Sequence, residues 1–221
     1  MRILVLGANG ATGRLIVAQA LDAGHEVTAF VRAAAKAPAP RPGLRVVIGE
    51  VTSGQSGQSG QSGHNTVTAA VTGQDAVISA LGSERSLKGL LAPTVIREAT
   101  ALVVRAMEQA GVGRLVFLSA FGVGDTARRA PAPLRLMYGV FLGRVFADKS
   151  AGERVLRASR LEWTLVYPVM LTNGPRTRGY RHGENLQPTG LAKVSRADVA
   201  DFMLRETAER EYVRKTVVVA G

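Results

Sequence analysis

Cysteine is absent from the 221 residues, which excludes disulfides, thiolate metal sites and a cysteine nucleophile, and suits a reducing cytoplasm. Histidine is scarce: His25 reads as a turn residue, His64 stands beside a polar repeat and His182 lies in a loop, a set without metal-ligand spacing. Aromatic residues make up 5% of the chain and do not interleave with basic ones. Stacking platforms for nucleobases are therefore lacking, and no nucleic-acid partner is expected despite a net charge of +11. There is also no long hydrophobic run. Ile3 to Leu6 is too short for a signal-peptide core and is followed directly by glycine. No later stretch reaches the roughly 18 uninterrupted apolar residues of a membrane span. These absences predict a soluble, cytoplasmic protein with no membrane partner.

What is present suffices for a core: 46% hydrophobic against 20% charged residues, at a length that one α/β domain over 1–221 can hold. Short β-branched runs alternate with longer segments of helical period, the pattern of a doubly wound parallel sheet flanked by helices. Strands are expected at Arg2 to Leu6, Glu26 to Val31, Arg45 to Ile48, Ala76 to Ser79, Leu115 to Ser119, Thr164 to Tyr167 and Thr216 to Val219. Helices are expected at Gly13 to Ala23, Pro93 to Ala110, Phe146 to Ala158 and Arg196 to Thr207. Gly24 and Gly111 follow helix ends, and Ser195 is placed to cap the last helix with Asp198 and Asp201 behind it. Residues 53–63 repeat Ser-Gly-Gln without an apolar side chain, a composition that predicts a flexible surface loop.

The chemistry starts at Gly7-Ala8-Asn9-Gly10-Ala11-Thr12-Gly13, between the first strand and the first helix. Gly7 permits a tight turn, Gly10 lets the backbone approach a pyrophosphate, and Gly13 allows close packing of helix on strand. The free N–H groups of this loop then face the anion. The second strand ends in Arg32 rather than a carboxylate, which favours NADP(H) over NAD(H); Arg14 and Lys36 can add charge for the extra phosphate.

The spacing Gly-x-x-Gly-x-x-Gly in Ile3-Leu4-Val5-Leu6-Gly7-Ala8-Asn9-Gly10-Ala11-Thr12-Gly13 resembles the atypical short-chain dehydrogenases, in particular the NAD(P)H-binding group that contains NmrA-like proteins and the biliverdin and flavin reductases. The resemblance runs over nearly the whole chain. It implies that Glu50 and Val51 stand at the adenine, with Glu50 a departure from the usual Asp, and that Ala80, Leu81 and Gly82 line the cofactor through their backbone. It also implies a strand ending in Ser119, whose hydroxyl faces the acceptor beside the nicotinamide, and Lys149 on the nicotinamide ribose. Tyr167, Pro168, Val169 and Leu171 would lie along the nicotinamide. Ser119 and Lys149 are thus the catalytic candidates.

The tyrosine-lysine pair of the main short-chain dehydrogenases, four residues apart, is missing: Val145 stands four before Lys149, and Tyr138, Tyr167, Tyr180 and Tyr212 have no lysine four residues on. Dehydrogenation of alcohols through a tyrosine acid is therefore not expected. What remains is hydride transfer from NADPH to a flavin, quinone or related carbonyl acceptor, with the proton from water or a loose side chain such as His182. The alternative is a non-catalytic NADP(H)-binding sensor of the NmrA-like kind; a nucleotide-sugar epimerase is weaker, because such relatives keep the tyrosine. The protein is expected to be a monomer or a small homo-oligomer acting on a small molecule, with no metal.

Overall fold

A computed structural model describes residues 1–51, 57–82, 95–123 and 146–221. Strands β1 (Arg2–Leu6), β2 (Glu26–Val31), β3 (Leu44–Ile48), β4 (Ala76–Ser79), β5 (Arg114–Leu118), β6 (Glu162–Pro168) and β10 (Lys215–Ala220) run parallel, and the short β8 (Arg181–Gly183) is antiparallel to β10. Their order across the eight-stranded sheet is β3-β2-β1-β4-β5-β6-β10-β8. The chain therefore winds outward in both directions from β1 and β4, and the point where the order reverses is where open α/β sheets bind ligands. A small parallel pair, β7 (Met170–Thr172) with β9 (Lys193–Ser195), stands beside the main sheet.

The strands read as unbroken apolar runs because helices cover the sheet: Ile3, Leu4, Val5 and Leu6 are all buried, as are Ala76, Val77 and Ile78. The edge strand β3 differs, leaving Val46 and Ile48 exposed. Helices α1 (Ala11–Asp22), α2 (Gly57–Val71), α3 (Val95–Ala110), α4 (residues 146–158) and α5 (Arg196–Glu209) complete the described fold. No helix among the described residues is long and apolar enough to cross a membrane.

The expected strands and helices are all present, with ends shifted by at most two residues; Pro93 lies outside the described residues. Ser195 caps α5 as expected, its hydroxyl accepting from the Asp198 amide at 2.9 Å. The expectation of a loop over 53–63 is corrected in part: the chain is helical from Gly57 onward, while 53–56 fall outside the described residues. The physical reason lies further on. Val67, Ala70 and Val71 bury one stripe of α2, and packing of such a stripe can outweigh the roughly 1 kcal/mol that each interior glycine costs a helix. Strands β7, β8 and β9 were not expected; at three residues each they are too short to show an alternation.

Candidate functional site

The glycine turn is shaped by three close approaches. Gly7 has φ +75°, and a Cβ there would stand 2.6 Å from the Ala80 carbonyl oxygen. The Gly10 amide donates to the Gly7 carbonyl at 3.0 Å, closing the turn. A Cβ on Gly13 would lie 2.0 Å from the same Gly7 oxygen, so helix α1 sits directly on the strand end. Gly10 is the N-cap of α1, without a side-chain cap and with no acidic residue in the first turn; the first intrahelical bond is Arg14 N–H to Gly10 at 2.9 Å. The amides of Ala11, Thr12 and Gly13 therefore have no intrahelical acceptor and end the helix in a bare positive pole. A phosphate group fits this cradle, whose inner wall is backbone that any side chain at Gly7 or Gly13 would fill.

The other expected cofactor residues stand along the same carboxyl edge. Exposed Arg32 follows β2, Lys36 is exposed four residues on, and Arg14 is exposed in the first turn of α1. Exposed Glu50 and buried Val51 follow β3, which is tied to β2 by the Gly49 amide on the Val31 carbonyl at 2.9 Å. Ala80 and Leu81 follow β4, with the Ala80 amide on the Leu6 carbonyl at 2.9 Å; Gly82 has open space where a Cβ would stand. Half-buried Asn9 lies within the turn. Ser119 follows β5, its amide donating to the Val166 carbonyl at 2.8 Å. Pro168 ends β6 and Val169 follows it, both buried, and Leu171 is half-buried in β7.

One cluster beneath this edge was not foreseen. The Ser119 hydroxyl donates to Glu153 Oε1 at 2.5 Å, and the Tyr167 hydroxyl donates to Glu153 Oε2 at 2.8 Å. All three residues are buried, Glu153 to 2% exposure. Tyr167, expected along the nicotinamide, thus carries its ring into the core and its hydroxyl onto α4. Burial pushes the Glu153 carboxyl up, against the hydrogen bonds from Ser119 and Tyr167 and the charges of Arg157 and Lys149. Burial, then Glu153, pushes the Tyr167 phenol far above its usual range, so it stays a donor. Lys149 lies one turn before Glu153, and burial pushes it down to about 8 against the pull of Glu153 and Asp148.

Asp148 is the second residue missed. It reaches across to α3 and accepts from the Ile96 and Arg97 amides at 2.8 and 3.1 Å, capping that helix from 52 residues away. Gly152 keeps the two helices close, since a Cβ there would lie 3.0 Å from Thr100 Oγ1. Asp148→Ala is expected to lower stability by about 0.5–2 kcal/mol in urea unfolding, the usual range for a lost N-cap; an unchanged midpoint would show that the cap carries no weight. No local sequence signal marked Glu153, since the two hydroxyls it accepts from lie 34 and 14 residues away on other elements. His182, by contrast, is not brought to Ser119. Its Nδ1 shares a hydrogen bond with the Tyr212 hydroxyl at 2.9 Å and its ring packs on Phe202 at 5.0 Å. From β5 it is three strand spacings away, about 14 Å.

The profile of a family described as NAD(P)H-binding matches residues 7–210, from the glycine turn to the end of α5. The chain belongs to the NAD(P)H-binding family. Among proteins similar to this family member is the photosystem II assembly factor Ycf39 of Synechocystis sp., 28% identical over 100% of the chain and 63% of that protein. The chain thus spans less than two thirds of the length of that relative. Solved structures share the fold. A wide-type short-chain dehydrogenase/reductase of Veillonella parvula in complex with NADP superposes with TM-score 0.79 at 21% identity, covering 100% of this chain and 94% of that one. The anaerobillin reductase ChuY of Escherichia coli O157:H7 gives TM-score 0.79 at 21% identity over 99% and 96%. Family membership and the uncapped α1 terminus agree that the cofactor is a nicotinamide dinucleotide.

Proposed function

We propose that this protein is an NADPH-dependent reductase that passes hydride to a flavin, quinone or related carbonyl acceptor. The observation that carries this reading is the order of residues along one sheet edge: Arg32 after β2, the glycine turn after β1, Ala80 to Gly82 after β4, Ser119 after β5 and Pro168 with Val169 at β6. At about 4.8 Å per strand, that row spans roughly 19 Å, a length suited to an extended dinucleotide. Arg32 would hold the 2′-phosphate, the amides of residues 11–13 the pyrophosphate, and Lys149 the nicotinamide ribose. The cofactor would supply the hydride, and Ser119 would meet the acceptor oxygen. Val169 and Leu171 would offer the nicotinamide an apolar wall.

The test joins binding and turnover. NADP(H) is expected to bind more tightly than NAD(H) in calorimetry, and Arg32→Ala should remove that preference. NADPH oxidation is then followed with FMN, menadione and dichlorophenolindophenol. Ser119→Ala should lower kcat about 100-fold, within the span of acid catalysis, with the NADP(H) Kd within threefold. No affinity for either dinucleotide overturns the proposal. A second reading, an NADP(H)-responsive sensor, is favoured by the absent tyrosine-lysine pair and by a relative that is an assembly factor. Tight binding without turnover of any acceptor would select it.

A further inference from the structure

We propose that Glu153 is a positioning residue and proton reserve for Ser119, so that one added proton on this buried cluster turns the serine hydroxyl outward as a donor. The inference rests on the reductase reading for the place where that proton goes. It follows from counting donors. As the bonds stand, Ser119 and Tyr167 each spend their single hydroxyl proton on one oxygen of Glu153. A serine so engaged can accept from a bound molecule but cannot donate to it. With Glu153 protonated, the cluster holds one proton too many for its acceptors, and one hydroxyl must point elsewhere.

Tyr167 cannot be that hydroxyl. Its side chain is fully buried, and among the described residues its other hydrogen-bond neighbour is the Arg157 guanidinium at 3.5 Å, which only donates. Ser119 stands at the end of β5 on the cofactor edge. The protonated Oε1 then donates to Ser119 Oγ, and the serine proton is released toward the acceptor. As hydride from the cofactor forms the new C–H or N–H bond and the electron pair moves to the acceptor's oxygen or nitrogen, that atom takes the proton from Ser119 Oγ. Oγ in turn takes the proton from Glu153. The cofactor is oxidised, the acceptor is reduced by a hydride and a proton, and Glu153 is left as the carboxylate with both hydroxyls donating to it, before it regains a proton from water.

Burial and hydrogen bonds act on this carboxyl in opposite senses. Facing it are Lys149 and Arg157 from its own helix, the phenol of Tyr167 from β6 and the uncharged Ser119 from β5. From α3 the residues packed at Gly152 are Ile96 and Thr100, neither charged. Burial is the largest influence on the carboxyl and raises it.

The test uses the whole chain in two measurements. In infrared spectra of the cofactor-free protein, the carbonyl stretch of a protonated carboxyl is followed against pH. A band that persists above the usual glutamate range near 4.3 and is missing in Glu153→Gln supports the proposal. A carboxyl that titrates in the ordinary range overturns it. In turnover with NADPH and menadione, kcat is expected to fall as pH rises through that same titration. Glu153→Gln should lower kcat about 100-fold and abolish this limb, while the melting temperature and the NADP(H) Kd stay near wild type, since an amide accepts from one hydroxyl and donates to the other. Glu153→Asp, which keeps an ionisable group, should retain a limb, and serves if the glutamine variant does not fold. Wild-type protein that fails to oxidise NADPH with FMN, menadione or dichlorophenolindophenol overturns the reductase reading and this inference together. Turnover with a Glu153→Gln rate equal to wild type overturns this inference alone.

Discussion

Gly13→Ala is expected to weaken NADP(H) binding about 100-fold and to destabilise the fold by up to about 2 kcal/mol. The added methyl would stand 2.0 Å from the Gly7 carbonyl oxygen and 3.0 Å from the Ala8 Cα, all of it backbone. No rotamer relieves such an overlap, so α1 must lift off the strand end. Overpacking of this kind costs about 1–3 kcal/mol, against the roughly 1 kcal/mol by which alanine is the better helix former. Lifting the helix also moves the amides of Ala11 and Thr12 away from the phosphate. Two charge-assisted hydrogen bonds at about 1.5 kcal/mol each correspond to about 100-fold in Kd. Calorimetry with NADP and urea unfolding check both numbers. Gly113→Ala is the control, since it precedes β5 at the opposite edge of the sheet and its Cβ would meet nothing closer than 3.9 Å; a stable, tightly binding Gly13→Ala would contradict the close approach.

The largest stability effect is expected at the opposite edge of the sheet. Arg114, at the start of β5, and Glu206, near the end of α5, form an ion pair at 2.7 Å with side chains 4% and 1% exposed. Arg114 also donates to the Glu162 carbonyl at 2.8 Å and to Thr164 Oγ1 at 2.9 Å, while Glu206 accepts from the Tyr212 amide at 2.9 Å. Burial lowers the Arg114 guanidinium and Glu206 raises it again. Removing either partner leaves a charge enclosed, a loss of about 3–5 kcal/mol. For a chain of this length that is about 10 °C in Tm. Replacing both, as Arg114→Met with Glu206→Leu, leaves no stranded charge and should be less damaging than either single change. A double variant as unstable as the sum of the singles would show that the pair is merely packed, not coupled. NADP(H) affinity of the folded variants should be unchanged, because the pair lies a full strand length from the cofactor edge.

These two sites differ in how they were written into the chain. Gly7, Gly10 and Gly13 occupy neighbouring turns, and their spacing between an apolar strand and a helical segment was enough to read the tight turn and the close approach of α1 to the strand end. The place of Ser119 at the end of β5 was legible for a similar reason, as the first polar residue after an apolar run. Glu153 was not, because its partners Ser119, just after β5, and Tyr167, in β6, lie 34 and 14 residues away. Asp148 caps a helix 52 residues distant, and Arg114 meets Glu206 across 92. The Ser-Gly-Gln repeat misled for the converse reason: its local composition favours coil, while the helix that contains its second half is anchored by Val67, Ala70 and Val71 beyond it.

The amino-acid sequence by itself determined the alternation of strands and helices, the glycine turn and the arginine that follows β2, because each depends on residues within a turn or two of one another. Only the tertiary structure decided where the buried charges and hydroxyls meet. A carboxyl, a serine and a tyrosine become one hydrogen-bonded unit when packing excludes water from all three, and that exclusion is a property of the assembled sheet and helices rather than of any segment.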